Sequence, residues 1–211
     1  MSDSIRLHFH PVSPSSRAVL AGLHHLGSTA DVEFVEVDIR AGESQLPSYR
    51  ALNPNGMIPY LEVGDFRLWE SGAILQYLAD RYGPSELYPT ALEARANVNR
   101  WIQWNLAHFG KHIRTLAFER MWKPMLSLGP VNALAEEESA KQFARFLSVL
   151  NRQLGSGAFV AGDAPTIADF HLYGALTYRE GAKLGFAAGE HVQRWLERMS
   201  ALPAIQALPA V

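Results

Sequence analysis

The sequence of 211 residues contains no cysteine. This absence excludes disulfide bonds, thiolate–metal sites, a Cys-x-x-Cys redox pair and any nucleophilic thiol carried by the protein itself. If the chain performs chemistry at sulfur, the sulfur atom must therefore come from a substrate.

The sequence also lacks clustered charge and long apolar runs. Its 19 basic and 21 acidic side chains give a formal net charge of −2, without a basic run that could follow a phosphate backbone. No uninterrupted apolar segment approaches about 18 residues, and the polar, proline-containing start does not resemble a signal peptide. We expect a soluble cytoplasmic protein with neither nucleic-acid nor membrane partners.

Several common catalytic motifs are absent as well. The chain has no Gly-x-Ser-x-Gly, Gly-x-x-x-x-Gly-Lys or Gly-x-Gly-x-x-Gly pattern, so hydrolase and nucleotide-binding functions are not indicated. Its eight histidines include no His-Glu-x-x-His run and no His-x-x-x-His pair with a nearby acid, so we predict no metal site.

Two motifs that are present specify a site for a small peptide. The first, Asn53–Pro59, ends in Ile58-Pro59, and a proline with a cis bond at the start of a strand leaves the Ile58 backbone free. The second follows a tight hairpin and begins a helix at Glu70-Ser71, where unpaired N–H groups and the Ser71 hydroxyl can bind a carboxylate. Because Glu70 could hold an ammonium, the combination suits a zwitterionic peptide.

The two motifs, Asn-Pro-x-Gly-x-Ile-Pro and Glu-Ser-x-Ala-Ile, resemble the glutathione-binding half of the soluble (cytosolic) glutathione S-transferases. The resemblance implies that glutathione is a co-substrate bound by Met57, Ile58 and Pro59, with Ile58 pairing with its cysteinyl part. It implies that Glu70 and Ser71 bind the γ-glutamyl end.

One position departs from the family pattern. Many relatives use a lysine in the region of the second helix to bind the glycine carboxylate of glutathione, whereas this chain has Gln45 there. Gln45 is the predicted substitute, with Arg40 as an alternative and a solvent-facing Gln45 also open.

Ser13-Pro14-Ser15-Ser16-Arg17 follows a strand at residues 5–9 and begins the first helix. It resembles the Ser-x-x-x-Arg pattern of the serine-type transferases (bacterial theta-, delta- and phi-like enzymes), which implies that Ser13 donates a hydrogen bond to the glutathione sulfur. Ser15 is the alternative donor, and capping of the helix by Ser15 or Ser16 remains open. Arg17 resembles the recurring family arginine or is a surface residue.

The size of the required effect is consistent with a single hydroxyl. Lowering a thiol pKa from about 8.5 to about 6.5 requires roughly 2.7 kcal/mol of thiolate stabilisation. One charge-assisted hydrogen bond, helped by a helix N-terminus, contributes about 1.5–3 kcal/mol. Ser13 would therefore stabilise the thiolate electrostatically and would not act as a covalent nucleophile.

The sequence predicts two domains separated by a linker at 84–90, which contains two prolines. Residues 1–83 follow a β-α-β, α, β-β-α order that resembles a thioredoxin-like domain with a mixed four-stranded sheet. Residues 91–211 give only helical periodicities, at 91–118, 132–154, 166–182 and 190–200, and predict an all-helical domain.

The helical domain is expected to supply the electrophile pocket. Trp104 and His108 share a helix face and are the candidate pocket residues, with core packing as the alternative. Thr166 and Asp169 fit a capping box that resembles the folding motif of the family's second domain. The family also implies a homodimer.

The sequence therefore predicts a detoxifying glutathione transferase that conjugates glutathione to a small hydrophobic electrophile. A glutathione-dependent isomerase or lyase on the same fold is one alternative, and a non-catalytic interaction protein is another.

Overall fold

The computed structural model describes residues 4–83, 86–187 and 189–210. The first part of the chain is a sheet with helices on it: β1 Ile5–Phe9, α1 Pro14–Leu26, β2 Val32–Glu36, α2 Pro47–Arg50, β3 Tyr60–Val63, β4 Phe66–Trp69 and α3 Ser71–Arg81. The strand order is β2-β1-β3-β4, with β1 parallel to β2 and antiparallel to β3, and with β3 antiparallel to β4. The predicted thioredoxin-like domain with a mixed four-stranded sheet is confirmed.

The centre of the sheet is apolar because β1 and β3 pair in the middle of the domain. Leu7 lies opposite Leu61, and both side chains are fully buried. β3 begins at Tyr60, directly after Pro59, because proline has no N–H to donate to the ladder. The Ile58–Pro59 bond is cis.

The second part is helical: α4 Leu92–Trp104, α5 Gly110–Ala117, α6 Lys123–Met125, α7 Ala133–Leu154, α8 Ile167–Ala175, α9 Glu190–Ala201 and α10 Pro203–Gln206. Two π-helical turns, Asn105–Phe109 and Phe118–Trp122, join α4, α5 and α6. The predicted all-helical character is confirmed, and the helix expected at 91–118 continues to Met125. Among the described residues, no helix combines the length and the apolar composition needed to cross a membrane.

One predicted helix is shorter than expected. The segment predicted at 166–182 is regular only as far as Ala175. Beyond it the backbone N–H groups of Leu176, Thr177 and Arg179 donate to carbonyls three residues earlier, and the Thr177 hydroxyl donates to the Gly174 carbonyl at 2.7 Å. These tighter turns replace the regular helical pattern.

The predicted domain limits stay a prediction, since Pro84 and Ser85 of the linker lie outside the described residues. On the far side of that gap, the Leu87 carbonyl accepts a hydrogen bond from the Ile167 N–H at 2.9 Å, which ties the linker to the start of α8.

Helix α8 packs against the beginning of α1. Gly174 makes this approach possible, because a Cβ atom at that position would lie 2.7 Å from the Pro14 carbonyl oxygen and 2.8 Å from Ala18 Cβ. The predicted capping box holds α8: Asp169 accepts from the Thr166 N–H and hydroxyl, each at 2.9 Å, and from the buried Trp195 indole at 2.9 Å. The helical domain is thereby anchored beside the loop that carries Ser13.

Candidate functional site

A cavity of about 360 Å³ lies between the two domains. Its walls come from the start of α1, the start of α3, the loop after β2, and the helices of the second domain. The lining residues are Ser13, Pro14, Ser15, Ala18, Ile39, Ser71, Asn105, Leu106, Gly110, Ile113, Arg114, Ala117, Phe118, Trp122, His171, Ala175 and Tyr178. The cavity therefore has a polar end at Ser13 and Ser71 and a mostly apolar end on the second domain.

Ser13 is the N-cap of α1, so this role belongs to it and not to the alternatives Ser15 and Ser16. Its hydroxyl oxygen accepts from the Ser16 N–H at 3.3 Å, and its side chain lies in the cavity wall, with the residue only 8% exposed. Because capping uses only an oxygen lone pair, the hydroxyl hydrogen remains available to donate to a bound group. Ser15 lines the same cavity and is exposed.

Both domains hold the loop before Ser13 in place. The Arg17 guanidinium donates to the Pro11 carbonyl at 3.1 Å and to the Pro209 carbonyl at 2.6 Å, and burial lowers its pKa. The Tyr178 hydroxyl donates to the Val12 carbonyl, and burial raises the pKa of this phenol. Arg17 is thus a half-buried tie between the loop and the C-terminal segment.

The Met57–Pro59 loop is fixed by hydrogen bonds to the Met57 carbonyl. The Met57 carbonyl is held by the Tyr49 hydroxyl at 2.9 Å and by the Asn53 amide at 2.7 Å. For Ile58, none of the hydrogen bonds found within the described residues uses its N–H or C=O. An extended ligand could therefore pair with this residue as a strand would.

Gln45 lies beside the same loop. Its amide nitrogen donates to the Gly56 carbonyl at 2.8 Å, while the side chain remains largely exposed. Gly56 has a φ of 62°, and a Cβ atom there would lie 2.9 Å from the Gln45 amide nitrogen, so glycine is required at this contact. The structure brings Gln45 and Ile58 into one region, outside the wall of the interdomain cavity.

Glu70 and Ser71 form the junction between β4 and α3. Glu70 has a φ of 71°, an unusual value for a residue with a Cβ atom, and such strained positions cluster at functional sites. Ser71, the first residue of α3, is buried in the cavity wall. The Glu70 side chain is exposed.

Two buried residues of the cavity wall, His171 and Asn105, are not predicted from the sequence. His171 Nε2 lies 3.3 Å from the Ser71 hydroxyl oxygen, and the Asn105 amide nitrogen lies 2.9 Å from His171 Nδ1. Burial lowers the pKa of His171 to about 4, so the imidazole is neutral at pH 7. Only the position of His171 two residues after the capping Asp169 could have signalled its burial in sequence.

Trp104 and His108, the residues expected in the electrophile pocket, lie outside this cavity. The Trp104 ring stacks on Phe109 at 5.2 Å between centroids, and the His108 ring stacks on Phe146 of α7 at 5.3 Å. Their face of the helix packs on α7, whereas Leu106 and Gly110 line the cavity. The core-packing alternative describes the partly buried Trp104, whereas His108 is exposed on the helix surface.

Comparison with known proteins gives matches along most of the chain. A family model described as the glutathione S-transferase N-terminal domain matches residues 5–80, and one described as the C-terminal domain matches residues 118–203. Glutathione S-transferase 3 of Zea mays is 35% identical over 207 residues, which are 96% of this chain and 91% of that protein.

Solved structures agree. Glutathione transferase F7 of Populus trichocarpa superposes with a TM-score of 0.86 at 28% identity, covering 97% of each chain. A structure of glutathione S-transferase-I bound with lactoylglutathione superposes with a TM-score of 0.84 at 26% identity, covering 97% of this chain and 98% of that one.

The relatives also correct one detail of the sequence interpretation. The curated proteins compared are plant enzymes of the phi, or F, class and not bacterial theta or delta enzymes.

Because the two family models together span more than half of the chain, and the maize protein matches nearly all of it, the family is established. This chain belongs to the glutathione S-transferase family.

Proposed function

We propose that this protein conjugates glutathione to a small apolar electrophile and that Ser13 holds the glutathione sulfur as a thiolate. The observation that carries the proposal is the geometry of Ser13. Its hydroxyl caps α1 with a lone pair, donates to no acceptor found in the described part of the chain and lies in the wall of the interdomain cavity. A thiolate at this position would receive one charge-assisted hydrogen bond at the positive end of a helix.

Glutathione would lie along the first domain. The cysteinyl backbone would pair with the free N–H and C=O of Ile58, beside Met57 and Pro59. The γ-glutamyl carboxylate would lie at Ser71 and the N-terminus of α3, with the exposed Glu70 carboxylate near the ammonium. Gln45 is the proposed contact of the glycine end, with Arg40 as the alternative.

The reaction needs no base on the protein once the thiol has lost its proton to water. The sulfur lone pair forms a bond to the electrophilic carbon, and the leaving group departs with its bonding electrons, or the electrons move into a conjugated acceptor. Ile39, Leu106, Ile113, Phe118 and Trp122 offer an apolar surface for the electrophile beside Ser13. Proximity and thiolate stabilisation would supply the rate.

We further propose a cytoplasmic, detoxifying homodimer of the serine type, without a metal. The large side chains Phe66 and Trp69 on the edge strand β4 are 47% and 39% exposed. A partner subunit could cover them, since an uncovered apolar edge favours association. Sedimentation equilibrium measures this state directly, and a monomer at micromolar concentration would contradict it.

A titration of bound glutathione tests the catalytic assignment. We expect Ser13→Ala to raise the pKa of the bound thiol towards about 8.5 and to reduce turnover at pH 7 by up to roughly 25-fold, because the thiolate fraction falls from about three quarters to about 3%. Glutathione affinity should change far less. The thiolate absorbance in the ultraviolet reports the pKa, and a panel of aryl halides, enones and hydroperoxides reports the reaction type.

Ser15→Ala is the matched control, because Ser15 lines the same cavity two residues away without capping the helix. It should retain turnover within about twofold. If Ser15→Ala loses turnover and Ser13→Ala does not, the sulfur contact belongs to Ser15. Binding of glutathione without ionisation of its thiol in the wild type would instead favour a non-catalytic protein.

A further inference from the structure

A chain of hydrogen bonds connects the helical domain to the polar end of the cavity. It runs from the Asn105 amide through the His171 imidazole to the Ser71 hydroxyl, and all three residues are at most 6% exposed. Asn105 opens the π-helical turn after α4, His171 lies on α8, and Ser71 begins α3. All three line the cavity.

The orientation of Asn105 follows from its second contact. The atom that lies 2.9 Å from His171 Nδ1 also lies 3.2 Å from the His171 backbone carbonyl oxygen. A carbonyl can only accept, so this atom must be the amide nitrogen and not the amide oxygen. Both of its hydrogens are then directed at His171.

The tautomer of His171 follows in turn. Because Nδ1 faces an N–H donor, it must carry the lone pair, and the proton of the neutral ring is on Nε2. Nε2–H then donates to the Ser71 oxygen at 3.3 Å. With its oxygen engaged as an acceptor there, Ser71 has its hydroxyl hydrogen left to donate elsewhere.

We propose that His171 and Asn105 are positioning residues of the glutathione site, which fix the polarity of the Ser71 hydroxyl so that its hydrogen points at the ligand carboxylate. This inference rests on the proposed binding of the γ-glutamyl carboxylate at Ser71. In the opposite tautomer Ser71 would donate to His171 and present only lone pairs, which repel a carboxylate. The helical domain therefore influences the affinity for glutathione through Ser71, without itself contacting the γ-glutamyl carboxylate.

Packing around Asn105 holds this arrangement. A Cβ atom on Gly110 would lie 3.0 Å from both the backbone oxygen and the amide oxygen of Asn105, so the residue five positions after Asn105 must be small. The Asn105 amide oxygen is buried and has no hydrogen-bond partner among the described residues. No donor there competes for this oxygen, so nothing favours the flipped orientation of the amide. π-helical turns recur at functional positions for this kind of local reshaping.

A double-mutant cycle with Ser71 tests the proposal. We expect His171→Leu to raise the Kd and KM for glutathione about tenfold in the wild-type background, with kcat much less affected, and by less than twofold in the Ser71→Ala background. His171→Gln, whose amide nitrogen can take the position of Nε2–H, should recover most of the affinity. Equal losses in both backgrounds would mean that His171 acts only through packing, and the proposal would be overturned.

The wild-type protein provides a second measurement that does not depend on any variant folding. Nitrogen-15 NMR of histidine-labelled protein at pH 7, without ligand, should show His171 neutral with its proton on Nε2. A proton on Nδ1 would overturn the proposal even if glutathione binds.

A failure of the proposed function and a failure of the positioning role give different results. If calorimetry detects no binding of glutathione to the wild type while the tautomer is as expected, the assignment of the ligand is wrong, and the positioning role falls with it. If the wild type binds glutathione but the cycle shows no coupling, only the positioning role is wrong.

Discussion

At the scale of single residues, the observed capping role of Ser13 is compatible with the role proposed for it at the glutathione sulfur. Capping uses an oxygen lone pair, whereas thiolate stabilisation uses the hydroxyl hydrogen, so one side chain can do both. The sequence motif predicts the sulfur contact of Ser13, but it does not show that Ser13 is also the helix cap, because the cap depends on where α1 begins.

The capping role predicts a loss of stability separate from the loss of turnover. We expect Ser13→Ala to lower the free energy of unfolding by about 1 kcal/mol, since the Ser16 N–H loses its partner. Urea denaturation without glutathione measures this value. Ser15→Ala should change it by less than about 0.5 kcal/mol, and equal effects of the two substitutions would contradict the assignment of the cap.

The exposed Arg114 in the cavity wall predicts a preference among electrophiles. It is a cation beside a mostly apolar surface, so electrophiles that carry a carboxylate should be favoured over neutral ones of the same shape. We expect Arg114→Met to lower kcat/KM severalfold for a carboxylated aryl halide while that for its neutral analogue changes by less than about twofold. A uniform change for both substrates would argue against a charge effect.

At the scale of elements, the limits of sequence interpretation follow from which contacts are local. The start of α3 at Ser71, the Pro59 turn and the Thr166–Asp169 cap depend on neighbours within a few residues, and the sequence predicts all three. It also predicts that the first helix begins within Ser13–Ser16, but not which serine caps it. Trp104 and His108 lie outside the cavity because their side of the helix faces α7, which is distant in sequence, and because the π turn Asn105–Phe109 shifts His108 relative to the residues of α4. His171 and Asn105, 66 residues apart, meet only in the folded protein.

The contact between α8 and α1 is an element-scale feature that a single atom can disturb. We expect Gly174→Ala to destabilise the protein by about 1–3 kcal/mol and to lower turnover, because the added Cβ would lie 2.7 Å from the Pro14 carbonyl, next to Ser13. Thermal unfolding and steady-state kinetics measure the two effects.

Gly185→Ala is the control for this substitution. Among the described residues no heavy atom lies within 4 Å of a Cβ atom placed at Gly185, so neither stability nor turnover should fall. If Gly174→Ala behaves like Gly185→Ala, the two helices can separate without consequence and the close contact does not position the Ser13 loop.

At the scale of the whole molecule, the two domains share the work. The first domain supplies the groups proposed to bind glutathione, and its motifs are continuous in sequence. The second domain anchors the Ser13 loop through Tyr178 and reaches Ser71 through His171, besides lining the apolar part of the cavity. A site assembled in this way requires the domains to remain docked, so its integrity and global stability should change together.

His171 links that stability to pH. Burial lowers its pKa from about 6.5 in the unfolded chain to about 4 in the fold, so between these values the unfolded state binds more protons and acid favours unfolding. The stabilising contribution of the neutral His171 is complete above about pH 6.5 and is lost as the pH falls to about 4, a change of about 3 kcal/mol at about 1.36 kcal/mol per pH unit.

Since other groups titrate in this range, the wild type is compared with His171→Gln, whose side chain does not titrate. Between pH 7.5 and pH 4 the free energy of unfolding of the wild type, measured by urea denaturation, should fall by about 3 kcal/mol more than that of His171→Gln. A difference that stays constant would mean that His171 titrates alike in both states and is not held neutral between Asn105 and Ser71.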